Sequence, residues 1–146
     1  MSKRNIFILF IINILISAGI ISFLFCNFHT NDNLFGSQVS RGTKYILYIG
    51  TNDKDTYTQL IPTDEAKRIV DEICVKHVGG FTALDAVGGY LDDKNVMTHE
   101  NSLVYEIYDA SEEQIKAIMD EVIKALNQSS ILVELQKTEY MFYSSK

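Results

Sequence analysis

Between Ile6 and Phe25 the chain runs for twenty residues without a charge, broken only by Asn13, Ser17, Gly19 and Ser22. A helix of that length rises about 1.5 Å per residue and matches a hydrocarbon core of roughly 30 Å. A segment this apolar does not belong to the core of a small domain, so it divides the chain at once. Lys3 and Arg4 stand before it, and no basic residue follows until Arg41. The positive-inside rule then keeps the N-terminus in the cytoplasm and carries everything downstream across the membrane. Residues 1–26 are therefore expected to be an uncleaved, single-pass signal anchor, in a pattern that suits bacterial export, with an extracytoplasmic domain behind it. Two alternatives stay open. A cleaved signal peptide has a shorter apolar region and a small-residue cleavage site, and none follows here. A lipoprotein would be acylated at Cys26, although Phe25 fills the position where that processing favours a small residue.

Residues 27–43 read as a polar tether in which Leu34-Phe35 is the only apolar pair. Residues 44–146 remain as one domain, long enough for one modest core. Of the thirteen basic residues, Lys3 and Arg4 precede the anchor, and the other eleven face nineteen acidic ones, a balance of −8. Such a domain repels phosphate backbones, which excludes nucleic acid as a partner. The two cysteines, Cys26 and Cys74, make no disulfide framework. Cys74 falls on the apolar face of an expected helix, where it packs as a small hydrophobe.

Inside the domain the periodicity changes in a clear order. Tyr45 to Ile49 is apolar on both faces, as a central strand is. A polar loop, Gly50 to Leu60, leads to a helix opened by Pro62-Thr63-Asp64-Glu65, with Thr63 as its cap and the acids at its positive end. Ala66, Ile69, Val70, Ile73, Cys74 and His77 follow at helical spacing until Gly79-Gly80. Thr82 to Leu91 is a second strand, expected to be bent or bulged at Gly88-Gly89, and Asp92 to Asn95 is a turn. In the third strand, Asn101 to Tyr108, Leu103, Tyr105 and Ile107 share one face, while Ser102, Glu106 and Tyr108 share the other. Ser111 and Gln114 form a capping box for a helix running to Leu126. Ile115, Ile118, Met119, Val122 and Leu126 line one side of that helix, and Glu112–Lys116 and Asp120–Lys124 are expected pairs on the other. Ile131 to Tyr143 closes the chain as a strand, with Glu134, Gln136 and Thr138 on its polar face.

The order β-α-β-β-α-β specifies an α+β, ferredoxin-like fold: a four-stranded antiparallel sheet with two helices on one face. Its other face stays open to water or to a partner, and a homodimer formed through it is one expectation.

No nucleotide loop, C-x-x-C pair or nucleophile–base arrangement is present, so neither a metal nor a cofactor is expected. His99-Glu100 is a titratable pair at the entry to a strand, but adjacent strand residues point to opposite faces and a third ligand is missing. Asp85 interrupts an apolar strand. It braces a loop through backbone N–H bonds, faces a pocket with Glu100 and Ser102, or lies exposed on an edge. Gly88-Gly89 lets a backbone come close to a ligand, and Tyr90 beside it offers a flat surface. Asp85, Tyr90, Glu100 and Ser102 are therefore expected around one cleft, with His99 a further candidate for binding a ligand or partner.

The segment Gly80-Phe81-Thr82-Ala83-Leu84-Asp85-Ala86-Val87-Gly88-Gly89-Tyr90, followed by Glu100-Asn101-Ser102, resembles a bacterial family named domain of unknown function 3574. Its pattern is G-x-T-x-x-D-A-x-G-x-aromatic before E-x-S, and the resemblance runs from about Tyr45 to Leu135. It implies the α+β fold and an export signal, and no reaction. The expected function is a membrane-anchored, extracytoplasmic, noncatalytic module that binds a ligand or partner. The alternative is a small dimeric α+β enzyme with a pocket on the open sheet face.

The anchor makes a direct prediction. Alkaline phosphatase fused to the C-terminus should be active, and the membrane-bound chain should begin at Met1. A mature chain beginning at an acylated Cys26 would replace the anchor with the lipoprotein alternative.

Overall fold

The computed structural model describes residues 33–35, 37–91 and 95–144. The expected anchor and Cys26 lie outside the described residues, and among those described no helix is long and apolar enough to cross a membrane. Two compact units divide the chain, one of Arg41–Tyr140 and the other of Met1–Ser40 with Met141–Lys146. In the second, the described part holds a short antiparallel ribbon of β1 (Asn33–Leu34) and β2 (Ser37–Gln38).

The first unit carries the main sheet. Its strands are β3 (Ser40–Gly50), β4 (Thr82–Leu91), β5 (Met97–Ile107) and β6 (Leu132–Tyr140), in the order β4-β5-β3-β6. Helices α1 (Thr63–His77) and α2 (Glu112–Ala125) supply the two crossovers, which completes the βαββαβ pattern. β3 takes in residues 40–43, the end of the stretch that reads as tether.

Alternation decides which face the helices cover. Tyr45, Leu47 and Ile49 of β3 and Leu103, Tyr105 and Ile107 of β5 are buried, in one cluster with Ala66, Val70 and Cys74 of α1 and Ile115, Ile118 and Val122 of α2. The helical residues recur every three or four positions, the spacing of one helix face. Each such buried aliphatic side chain stabilises the fold by roughly 1.5–3 kcal/mol relative to exposure. Burial pushes the Cys74 thiol up to about 12, so it stays protonated and packs as the hydrophobe expected of it. The Tyr105 ring is fully buried and donates its hydroxyl to Asp71 at 2.6 Å.

Three local expectations change. β4 pairs with β5 in one unbroken register from Thr82↔Glu106 to Leu91↔Met97, so Gly88-Gly89 makes no bulge. The α1 cap position belongs to Pro62, without a side-chain cap bond; the Thr63 hydroxyl instead accepts from Gln59 Nε2 at 2.9 Å. On α2 the ion pair seen is Lys116–Asp120. The capping box forms as read, with Ser111 Oγ accepting from Gln114 N at 3.3 Å and Gln114 Oε1 accepting from Ser111 N at 2.8 Å.

Ser111→Ala removes one half of that box. It should cost about 1 kcal/mol, read as a melting temperature lower by roughly 4–8 °C. An unchanged melt would show that tertiary packing alone holds the first turn.

Candidate functional site

Directly opposed residues in an antiparallel pair project from the same face. Ser102 lies opposite Ala86 and Gly50, Glu100 opposite Gly88, and Thr98 opposite Tyr90. Tyr90, Glu100 and Ser102 therefore share the open face. Asp85 lies opposite Leu103 and His99 opposite Gly89, which places both on the helix side. Asp85 thus does not join Glu100 and Ser102. It is exposed on an edge strand and accepts from Lys67 Nζ of α1 at 2.7 Å. His99 and Glu100 diverge, as their adjacency in a strand requires.

Glu100 and Tyr90 help to line a cavity of about 370 Å³ where the ends of β3 and β4 meet the loops after β3 and α2. Tyr48 and Gly50 of β3, residues 52–54 and Tyr57 of the first loop, and Gln128, Ser129 and Ser130 of the second complete its wall. Gly50 is what admits Glu100. A Cβ on Gly50 would lie 2.7 Å from Glu100 Oε2 and 2.8 Å from Oε1, so the carboxylate occupies the space a side chain would take. Glu100 Oε2 accepts from the Asn52 N–H at 3.2 Å. Ser102 sits beside this wall, its Oγ 2.8 Å from where a Cβ on Gly88 would be. Both glycines are explained by side chains crossing over them.

The first loop is fastened by the end of α2. Asn127 follows the helix with φ 49°, the left-handed conformation that ends many helices, and Gln128 N donates to Ile123 O at 2.9 Å. The Asn127 amide donates to Asp53 Oδ2 at 2.8 Å and Asp55 Oδ2 at 2.7 Å, and its carbonyl accepts from Lys54 N at 3.1 Å. Gln128, buried, donates from Nε2 to Asn52 O at 2.7 Å. Asp53 organises the turn itself. Its Oδ1 accepts from the N–H groups of Asp55 and Thr56, and Tyr57 N donates to Asp53 O at 2.8 Å. The hydrogen bond from Asn127 is the largest cause holding the Asp53 carboxyl below its ordinary range.

Tyr57 ends this turn with φ 54° while remaining 55% exposed. For a residue with a Cβ that conformation costs roughly 1–2 kcal/mol, and little burial offsets it. The strain sits at the mouth of the pocket, the kind of place where such strain collects. Tyr48 donates its hydroxyl to Glu134 Oε2 at 3.0 Å, and that bond raises the Tyr48 pKa.

Of the residues expected around one cleft, Glu100 and Tyr90 line this cavity, and the loop residues beside them were not among those expected. Two signals were available: Asn127 just past a helix, where a left-handed residue is favoured, and Asp53 three residues before Thr56, an Asx-turn pattern. Among the described residues no group of three His, Cys, Asp or Glu side chains is placed to hold a metal ion.

A family model described as "Protein of unknown function (DUF3574)" matches residues 44–142. No curated protein matches the sequence. Among solved structures, a phage SAM lyase in complex with S-methyl-5′-thioadenosine is similar with a TM-score of 0.51 and 21% identity, over 70% of this chain and 90% of that one. Its apo state is similar with a TM-score of 0.50 and 20% identity, over 73% and 92%. At these identities the likeness shows the fold alone.

The clasp at Asn127 can be tested without disturbing the helix end. Asn127→Gly keeps the left-handed conformation and removes both side-chain bonds, so amide exchange should speed up at Asp55, Thr56 and Tyr57 while α2 is unaffected. Acid should act alike. A carboxyl whose pKa is lowered by folding contributes stability above its unfolded value, and loses it as pH falls through the folded one. The loop should therefore open only below the ordinary carboxylate range. Unchanged exchange in the variant would show that Asn127 does not hold the loop.

Proposed function

We propose, for a chain that belongs to the family described as Protein of unknown function (DUF3574), that the domain is a noncatalytic small-ligand receptor held at the outer side of a membrane by residues 1–26. The observation that carries this is the cavity of about 370 Å³, within the range of roughly 300–1,000 Å³ usual for small-molecule sites. Its walls are held by bonds of their own. Asn127 and Gln128 fasten the loop, Asn52 orients Glu100, and Gly50 leaves the space that the carboxylate enters. A site with prearranged walls binds without the entropic cost of ordering them first. The location rests on Lys3 and Arg4 before the uncharged run Ile6 to Phe25.

A second reading makes the same cavity an active site, with Glu100 as its acid–base group. The observation favouring it is that an enzyme, the phage SAM lyase, shares this fold, one of its structures holding S-methyl-5′-thioadenosine. Against it stands the lining itself, in which no nucleophile is paired with a base.

A blocking substitution tests the cavity. Ser130→Trp places a large ring at an exposed lining position. Ligand-observed NMR of the full chain in detergent, with fragment-sized amines, acids and nucleosides, should detect binders that the variant loses while its melting temperature stays close to wild type. Binders that persist in the variant would place the site elsewhere. Release of S-methyl-5′-thioadenosine from S-adenosylmethionine by the wild type, and not by Glu100→Gln, would replace the receptor with the enzyme reading.

A further inference from the structure

Resting on the ligand-pocket reading, we infer that the cavity takes a small organic cation, a methylated ammonium or sulfonium, held by the Glu100 carboxylate among the rings of Tyr48, Tyr57 and Tyr90. The acids of the open face and of the cavity differ in how they are satisfied. Glu106 has Lys44 at 3.4 Å, and Glu134 accepts from Tyr48 at 3.0 Å and Gln136 at 2.6 Å. Asp53, which also lines the cavity, spends its oxygens on the loop amides, Thr56 and Asn127. Among the described residues Glu134 and Asp53 are in no ion pair either, but each accepts two or more hydrogen bonds, and Glu100 differs in accepting one. It is partly buried, accepts one hydrogen bond from a backbone N–H, and is in no ion pair among the described residues. A carboxylate drawn into a cavity and held in no ion pair suits a cationic guest.

The rings say what sort of cation. Tyr48 comes from β3, Tyr57 from the strained turn and Tyr90 from the end of β4, so three separate segments bring aromatic side chains to one cavity. An aromatic face attracts a cation through its quadrupole, and the attraction persists for an onium group that has no N–H to donate. A strongly hydrated metal ion would instead require several oxygen ligands at once. Lys54 is the basic residue of the lining, exposed on the loop. An anionic substituent on the same ligand would meet it.

Calorimetry on the full chain in detergent micelles tests this with three probes. Choline and S-adenosylmethionine are the onium probes, and 3,3-dimethylbutan-1-ol is the neutral isostere of choline. At least one onium probe should bind, and the neutral isostere should bind at least tenfold more weakly than choline wherever choline binds. Two variants should each weaken the onium probe at least tenfold. Glu100→Gln removes the charge, and Tyr57→Gly removes a ring while relieving its backbone strain, so folding is retained. If the isostere binds as well as choline, in a manner still sensitive to Tyr57→Gly, the cation inference falls and the pocket reading survives. If no onium probe binds, the inference is overturned. If binding ignores both substitutions, the pocket reading falls with it.

Discussion

Strand β5 divides the domain's duties by parity. Its odd residues, Leu103, Tyr105 and Ile107, lie under the helices and are fully buried. Its even residues, Glu100, Ser102, Val104 and Glu106, share the open face, because each lies opposite an even residue of β4, and Ser102, Val104 and Glu106 oppose even residues of β3 as well. β5 pairs with both neighbours, so one alternation fixes the core and the floor of the pocket together. A slip by one residue would carry Glu100 to the helix side and strand Tyr105 in water.

The pocket is then completed by what happens past the ends of regular elements. β3 ends at Gly50, and the absence of a Cβ there lets Glu100 lean across the sheet. α2 ends at Asn127, whose left-handed backbone turns the chain and whose amide reaches Asp53 and Asp55. These features depend on one another, since the loop held by Asn127 carries the Asn52 N–H that orients Glu100. The other end of the open face is satisfied within itself. Lys44 meets Glu106, and the rings of Tyr108 and Tyr140 pack at 5.5 Å.

Much of this is written in local pattern. The two helices, the capping box at Ser111, the buried Cys74 and the parity of Leu103, Tyr105 and Ile107 all follow from periodicity. So does the separation of His99 from Glu100. Asp85 was harder, because its strand is apolar on both faces in sequence, and the α1 lysine that it meets lies 18 residues away. The Gly88-Gly89 pair suggested a bulge, yet its cause lies across the sheet, in Ser102 and in His99 with Met97. The Tyr48 hydroxyl bond and the pairing of the first loop with Asn127 and Gln128 were not legible for a similar reason. Their partners are 72 to 86 residues distant, and no spacing rule connects two loops that the fold brings together.

On the proposed reading, a ligand binds at the Glu100 end of the open face. Tyrosine rings report on it well, since the chain has eight tyrosines and no tryptophan. With ring-labelled tyrosine in the full chain, a choline or S-adenosylmethionine titration followed by NMR should move the signals of Tyr48, Tyr57 and Tyr90 together. Those of buried Tyr105, and of Tyr108 and Tyr140 at the far end of the face, should stay in place. Shifts centred on Tyr108 and Tyr140, with the pocket rings unmoved, would contradict the account.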